Sequence, residues 1–180
     1  MKKSLVALAV VAAVPAFAQA QTSIQLTGSV DVAVESLNKE ASSSGKSDLQ
    51  INDGIWGGSK VGIVGSEELG NGLKAIFNLE YEANADNGRL ADTDRFWAGQ
   101  SWVGLNGGFG TVKLGRQDSP IKGAIEAGDV TGQSWYYNSE DLAGIVDKVD
   151  NAISYATPSM GGLTLAVAYA SGEATAPAGN

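Results

Sequence analysis

The sequence predicts an all-β chain folded as a transmembrane antiparallel β-barrel. Three observations carry that prediction. Apolar and polar residues alternate with a period of two over long stretches. Glycine is abundant and proline scarce, 24 residues against 4, which suits strands and tight turns better than helices. Short glycine-containing connections alternate with long polar ones. Successive side chains of a strand point to opposite faces, so alternation builds a ribbon with one apolar face and one wet face.

The N-terminal segment is expected to be an address. Lys2 and Lys3 precede an apolar run over 5–14, and Pro15 breaks it. A run of about ten residues has signal-peptide length and is too short to cross a bilayer. Ala16, Ala18 and Ala20 fit the small-x-small cleavage rule, so 1–20 read as an export signal cleaved after Ala20, with Ala18 as the alternative. Removing it moves the formal charge from −8 to about −10. So acidic a surface argues against nucleic acid as a partner. There is no Cys and no His. The first leaves no disulfide staples, and the second removes the commonest general base and metal ligand. No catalytic, cofactor or metal site is predicted, and an enzyme reading is disfavoured.

Beyond this leader no run of about 18 apolar residues remains, which excludes a helical membrane span. The strands follow in order. Over 23–35, Ile24, Leu26, Gly28, Val30, Val32 and Val34 form one row, and Gln25, Thr27, Ser29, Asp31, Ala33 and Glu35 the other. Over 73–82, Leu73, Ala75, Phe77, Leu79 and Tyr81 oppose Lys74, Ile76, Asn78, Glu80 and Glu82. The stretch 163–170 repeats the pattern, and 59–66, 95–105, 111–114 and 148–156 give weaker versions, for seven strands in all. Several runs reach about 10–12 residues, longer than the usual ~5–6 of soluble strands and matched to the ~9–11 of a tilted membrane strand. An open edge would leave backbone groups unsatisfied in hydrocarbon, so such strands close into a barrel, apolar rows toward lipid and polar rows toward a water-filled lumen. Short turns are expected at 69–72, 106–108 and 159–162, and long loops at 36–54, 84–94 and 118–147. Tyr81, Phe96, Trp97, Trp102, Tyr155 and Tyr169 are candidates for the aromatic girdles that flank an apolar belt.

At this point specific stretches resemble a family. They are 25–31 (QLTGSVD), 61–75 (VGIVGSEELGNGLKA), 102–105 (WVGL) with 109–117 (FGTVKLGRQ), and 150–155 (DNAISY) with Pro158. Together they cover most of 21–169, and the segment Leu114-Gly115-Arg116-Gln117 is the most specific. The chain resembles the general diffusion porins of Gram-negative bacteria. That resemblance implies a sixteen-stranded barrel, a homotrimer in outer-membrane lipid and lipopolysaccharide, and passive passage of ions and small hydrophilic solutes. It also implies a long external loop folded into the lumen, for which 118–147 stands in the right place. Residues 176–180 read as an external loop and not as an end, so the chain is expected to be the N-terminal part of a longer barrel. The alternative is a complete eight-stranded outer-membrane barrel with a structural or adhesion role.

In the family, wall cations face loop acids across the constriction. Carried over by position, the resemblance implies wall cations at Lys60, Lys148 and Arg116, and loop acids at Glu126 and Asp129. On the fourth strand the usual arginine position is occupied by Gly99. Arg95 shares its face but lies about 13 Å further along an extended strand; either it compensates by reaching in, or the constriction has lost one cation. Lys74, Lys113, Glu80 and Asp31 are expected to point inward outside the narrowest zone.

Overall fold

The computed structural model describes residues 22–38, 48–129 and 144–172. The export signal expected at 1–20 lies outside the described residues, as do the central residues 130–143 of the long third loop.

The strands are β1 (Thr22–Ser29), β2 (Val32–Leu37), β3 (Asp48–Asp53), β4 (Ser59–Gly70), β5 (Leu73–Asn84), β6 (Arg89–Leu90), β7 (Gln100–Gly107), β8 (Gly110–Asp118), β9 (Lys148–Ala156) and β10 (Ala166–Ala170), with one helix, α1 (Pro120–Glu126), between β8 and β9. A seven-strand antiparallel path runs β1-β4-β5-β7-β8-β9-β10, with β6 paired to the end of β5; β2 and β3 form a separate two-stranded ribbon. Seven strands on the path agree with the seven alternating stretches of the sequence. Among the described residues β1 and β10 each have one partner in this sheet, so the sheet is open.

The element limits differ from the sequence expectation in instructive places. The run 23–35 is broken after Ser29, because Asp31 is tied sideways. Its carboxylate accepts from the backbone N–H groups of Trp56 (2.6 Å) and Gly58 (3.3 Å), and its own N–H donates to Ser59 Oγ (2.9 Å). The chain leaves the main sheet there, and β2 pairs with β3 inside what read as a long polar loop. The stretch 95–105 begins as strand only at Gln100, so Arg95 is a loop residue. β8 extends to Asp118 with an irregular register against β9 between Gly115 and Gln117. The turn at Asn71-Gly72 has positive φ at both residues (54° and 76°), as a two-residue hairpin of matching twist requires.

Register fixes the faces. Ile24, Gly65, Phe77, Val103, Leu114 and Ile153 lie on one row across the sheet, and Gln25, Val64, Asn78, Trp102, Gly115 and Ala152 on the other. The first row belongs to a face of exposed apolar residues, among them Leu26, Val61, Ile63, Leu105 and Val167. Only Ala98 and Ala152 are buried hydrophobics among the described residues. A water-soluble sheet puts its apolar face into a core; this one turns it outward. Trp102 is a correction to the girdle expectation. It lies on the inward row, where Lys113 Nζ stands 4.4 Å from its ring centroid and its indole N–H donates to Gln100 Oε1 at 2.7 Å. Tyr81 sits on the outward row, in ring contact with Phe96 (5.0 Å), which in turn meets Trp97 (4.8 Å).

Gly65 and Phe77 are direct cross-strand partners, and a Cβ on Gly65 would lie 2.0 Å from the Phe77 ring. The missing side chain is the seat of that ring. Gly65→Ala should therefore destabilise the full-length protein by about 1–3 kcal/mol, and Phe77→Leu in the same chain should relieve part of the cost. Urea unfolding of the single and double variants checks this, and strict additivity of the two changes would contradict it.

Candidate pore-lining site

The wet face gathers charge at one end of the strands. Register places Lys60 of β4 opposite Glu82 of β5, Glu80 of β5 opposite Gln100 of β7, and Asp118 of β8 opposite Lys148 of β9. β8 then runs through Ser119 into α1, which lies over this wall. Ser119 caps the helix by accepting from Lys122 N–H at 3.2 Å, and Pro120 follows as the first helical residue, where its missing N–H costs nothing. The result is a cavity of about 900 Å³ between wall and helix, bordered by Lys60, Glu80 and Glu82 from the wall, Lys122 and Glu126 from α1, and Asp147 and Lys148 at the start of β9. Eight carboxylates and three lysines line it in all, so this part of the wall is acidic even after every lysine is paired.

The cations are used in two ways. Lys148 Nζ bridges Asp147 (2.8 Å) and Glu82 (3.2 Å). Lys122 Nζ contacts Asp147 and lies 3.4 Å from Asp118 and 3.5 Å from Glu126, with its side chain only 9% exposed. Lys60 makes no ion pair among the described residues, which leaves its ammonium available to whatever occupies the cavity.

Gly99 has a physical consequence. Its N–H donates to the Glu80 carbonyl at 3.1 Å, and a Cβ there would stand 2.5 Å from Glu80 Oε1. The position where the family resemblance called for a wall arginine is thus filled by the carboxylate of a neighbouring strand.

The residues expected from sequence divide. Lys60, Lys148 and Glu126 border the same cavity. Arg95 and Arg116 do not join them. Arg116 stands opposite Ser101, which stands opposite Leu79, on the outward row. There Arg116 and Arg95 clamp Asp150 at 2.6 and 3.0 Å, beside a second cavity of about 770 Å³. Leu114 and Arg116 of β8 share the lipid-side parity, the register becomes irregular between Gly115 and Gln117 before Asp118 is reached, and Arg95 precedes its strand. Asp129 lies just past α1, its N–H donating to the Glu126 carbonyl at 3.1 Å, and borders neither cavity. Lys122 was missed by the sequence reading. A signal existed: Ser119-Pro120 is a helix start, and Asp118, Lys122 and Glu126 are spaced by four, which puts them on one helical face.

Residues 7–180 match a family described as Gram-negative porin. The chain is 36% identical over 179 residues to the major outer membrane protein P.IB of Neisseria meningitidis serogroup B, covering 94% of this chain and 50% of that one. It is 38% identical over 182 residues to outer membrane porin protein 32 of Delftia acidovorans, covering 96% and 50%. A solved structure, the anion-selective porin from Comamonas acidovorans, superposes with a TM-score of 0.70 at 31% identity, over 83% of this chain and 47% of that chain. The chain spans about half the length of the curated relatives it matches.

Burial pushes the Asp147 carboxyl up, but hydrogen bonds and charge attraction from Lys122 and Lys148 outweigh it and leave it below its ordinary value of 3.8. A depressed folded value means that the pairing stabilises the fold above the ordinary value and is lost as pH falls through the lower one. An NMR titration of the Asp147 side chain in the micelle-bound full-length protein should therefore give a midpoint below 3.8. A midpoint at or above that value would show that the lysines do not hold it.

Proposed function

This chain belongs to the Gram-negative porin family, and on that premise we propose that the protein is an outer-membrane channel through which ions and small hydrophilic solutes diffuse passively. The observation that supports this reading most is the inverted sheet: apolar side chains exposed on one face, and a charged, water-accessible cavity on the other with α1 packed over it. Such a sheet is stable only if hydrocarbon wets the first face and water the second. In this reading residues 1–20 direct export and are removed, 118–147 form the infolded loop, and three copies assemble in the membrane. Among the described residues β1 and β10 do not pair with each other, as the two end strands of a small closed barrel would.

The constriction is assigned to Lys60, Lys148 and Glu126, with Glu80 and Asp147 as neighbours. Arg116, on the outward row, and Arg95, ion-paired with the same Asp150, are left out of it. Carboxylates and lysines set across a narrow aqueous gap produce a transverse field that orders water and favours polar solutes, and unbalanced charge on the wall tunes ion preference. Solutes pass without any chemical step; the side chains act as a fixed dipolar screen.

Lys60 borders the cavity and makes no ion pair among the described residues, so its charge is open to passing solutes. In planar bilayers under a salt gradient, Lys60→Glu in the full-length channel should move the reversal potential toward cation preference. An unchanged reversal potential would remove Lys60 from the selectivity region. On the opposite face, Leu79→Arg places a guanidinium midway along β5 on the outward row, and should weaken folding into bilayers by about 2–4 kcal/mol. A cost near zero would mean that this row does not meet lipid.

A further inference from the structure

A helix of seven residues cannot hold itself, because isolated helices shorter than about 12–15 residues are marginal in water. In most proteins an apolar stripe packed into a core supplies the remaining stability. Among the described residues α1 lacks that support. Ile121 is 53% exposed, Gly123 and Ala124 are exposed, and Ile125 is only half-buried. The residue of α1 that is buried is Lys122, at 7% exposure. A lysine is almost never buried unless it is paired, and this one reaches three carboxylates from three segments: Asp118 at the end of β8, Glu126 one turn along α1, and Asp147 just before β9. Ser119 ties the same junction, its N–H donating to the Asp147 carbonyl (2.9 Å) and its hydroxyl to the Val146 carbonyl (2.6 Å).

We propose that Lys122 is the positioning residue of the infolded loop: its buried ammonium draws Asp118, Glu126 and Asp147 together and so sets where α1 stands against the pore wall. This deepens the channel reading and rests on it. Lys122 acts through α1, not as a cation displayed to solutes, since its charge is enclosed by the three carboxylates. Removing the ammonium leaves the three carboxylates at close range with Lys148 bound to Asp147 alone among them, and like charges in a poorly solvated place repel strongly. The loop helix is then pushed from the wall. Arginine carries the same charge with more donors and keeps the three acids bridged.

The test uses the full-length protein folded in detergent, with a nitroxide on Ala124→Cys; these 180 residues contain no cysteine of their own. Electron paramagnetic resonance should report an immobile label in the otherwise unchanged protein and in Lys122→Arg, and a clearly more mobile one in Lys122→Met. Adding Glu126→Gln to Lys122→Met should recover part of the immobility by removing one of the repelling charges. Equal mobility in Lys122→Met and the parent would overturn the proposal, and so would failure of Lys122→Arg to preserve the parent spectrum. If Lys122→Met does not fold, an acid titration of the labelled parent decides. Among the described residues the charged groups around Lys122 are Asp118 from β8, Glu126 from α1 and Asp147 before β9, with Lys148 of β9 and Glu82 of β5 next in the web. The label should be released reversibly as the pH falls below 3.8 and the lowered carboxyl of Asp147 protonates, and a spectrum unchanged through that range would refute the pin. None of these readings requires conduction, so a protein that shows the pin and carries no current in bilayers would sink the channel reading alone.

Discussion

Hydrocarbon offers no partner to a backbone N–H or C=O, so a chain crossing it in strands must find every partner on the next strand. Everything else in this molecule follows from that pairing. β4, β5, β7, β8 and β9 exchange hydrogen bonds edge to edge, and the ladder holds side chains in strict alternation. With register fixed, one row carries Ile63, Phe77, Val103 and Leu114, and the next carries Val64, Asn78, Trp102 and Lys113. A slip of one residue would exchange lipid and water for every side chain at once. The absence of an apolar core among the described residues is the direct expression of this constraint: the solvent of the apolar face is outside the protein.

On the wet face the problem is reversed. Eight carboxylates and three lysines crowd one end of the wall, and their mutual placement is decided by how the chain leaves β8. Ser119 and Pro120 start a helix at once, so Lys122 comes back over Asp118 within one turn. Lys148, opposite Asp118 in the ladder, then joins Asp147 to Glu82. α1 is held by charge and by backbone capping. Lys60, further along the same wall, keeps its ammonium out of these pairs.

Much of this was legible in the sequence, because a period of two is a local property. The strands around 73–82 and 148–156, the Asn71-Gly72 hairpin and the order of short and long connections need only neighbouring residues to be recognised. Lys60, Lys148 and Glu126 were placed by their position in a repeated family pattern, and they border one cavity. What was not legible depended on distant partners. Asp31 breaks the first strand because Trp56, Gly58 and Ser59 come to meet it. Trp102 turns inward by register, although its position near a strand end suggested a girdle. Arg116 has the parity of the outer face and Arg95 lies in a loop, where Asp150 bridges the two and Asp92 also pairs Arg95. Gly99 is explained by the Glu80 carboxylate of the neighbouring strand, which no reading of residues 95–105 alone contains.

The central claim, that one ribbon separates lipid from an aqueous lumen, can be read residue by residue along β5. Single cysteines from position 73 to 84 of the full-length protein in bilayers would be tested with a membrane-impermeant thiol reagent and, separately, with a bilayer-embedded quencher of an attached fluorophore. The account predicts labelling at 74, 78, 80 and 82 and quenching at 73, 75, 77, 79 and 81. Labelling of both rows alike, with no quenching at 77 and 79, would contradict it.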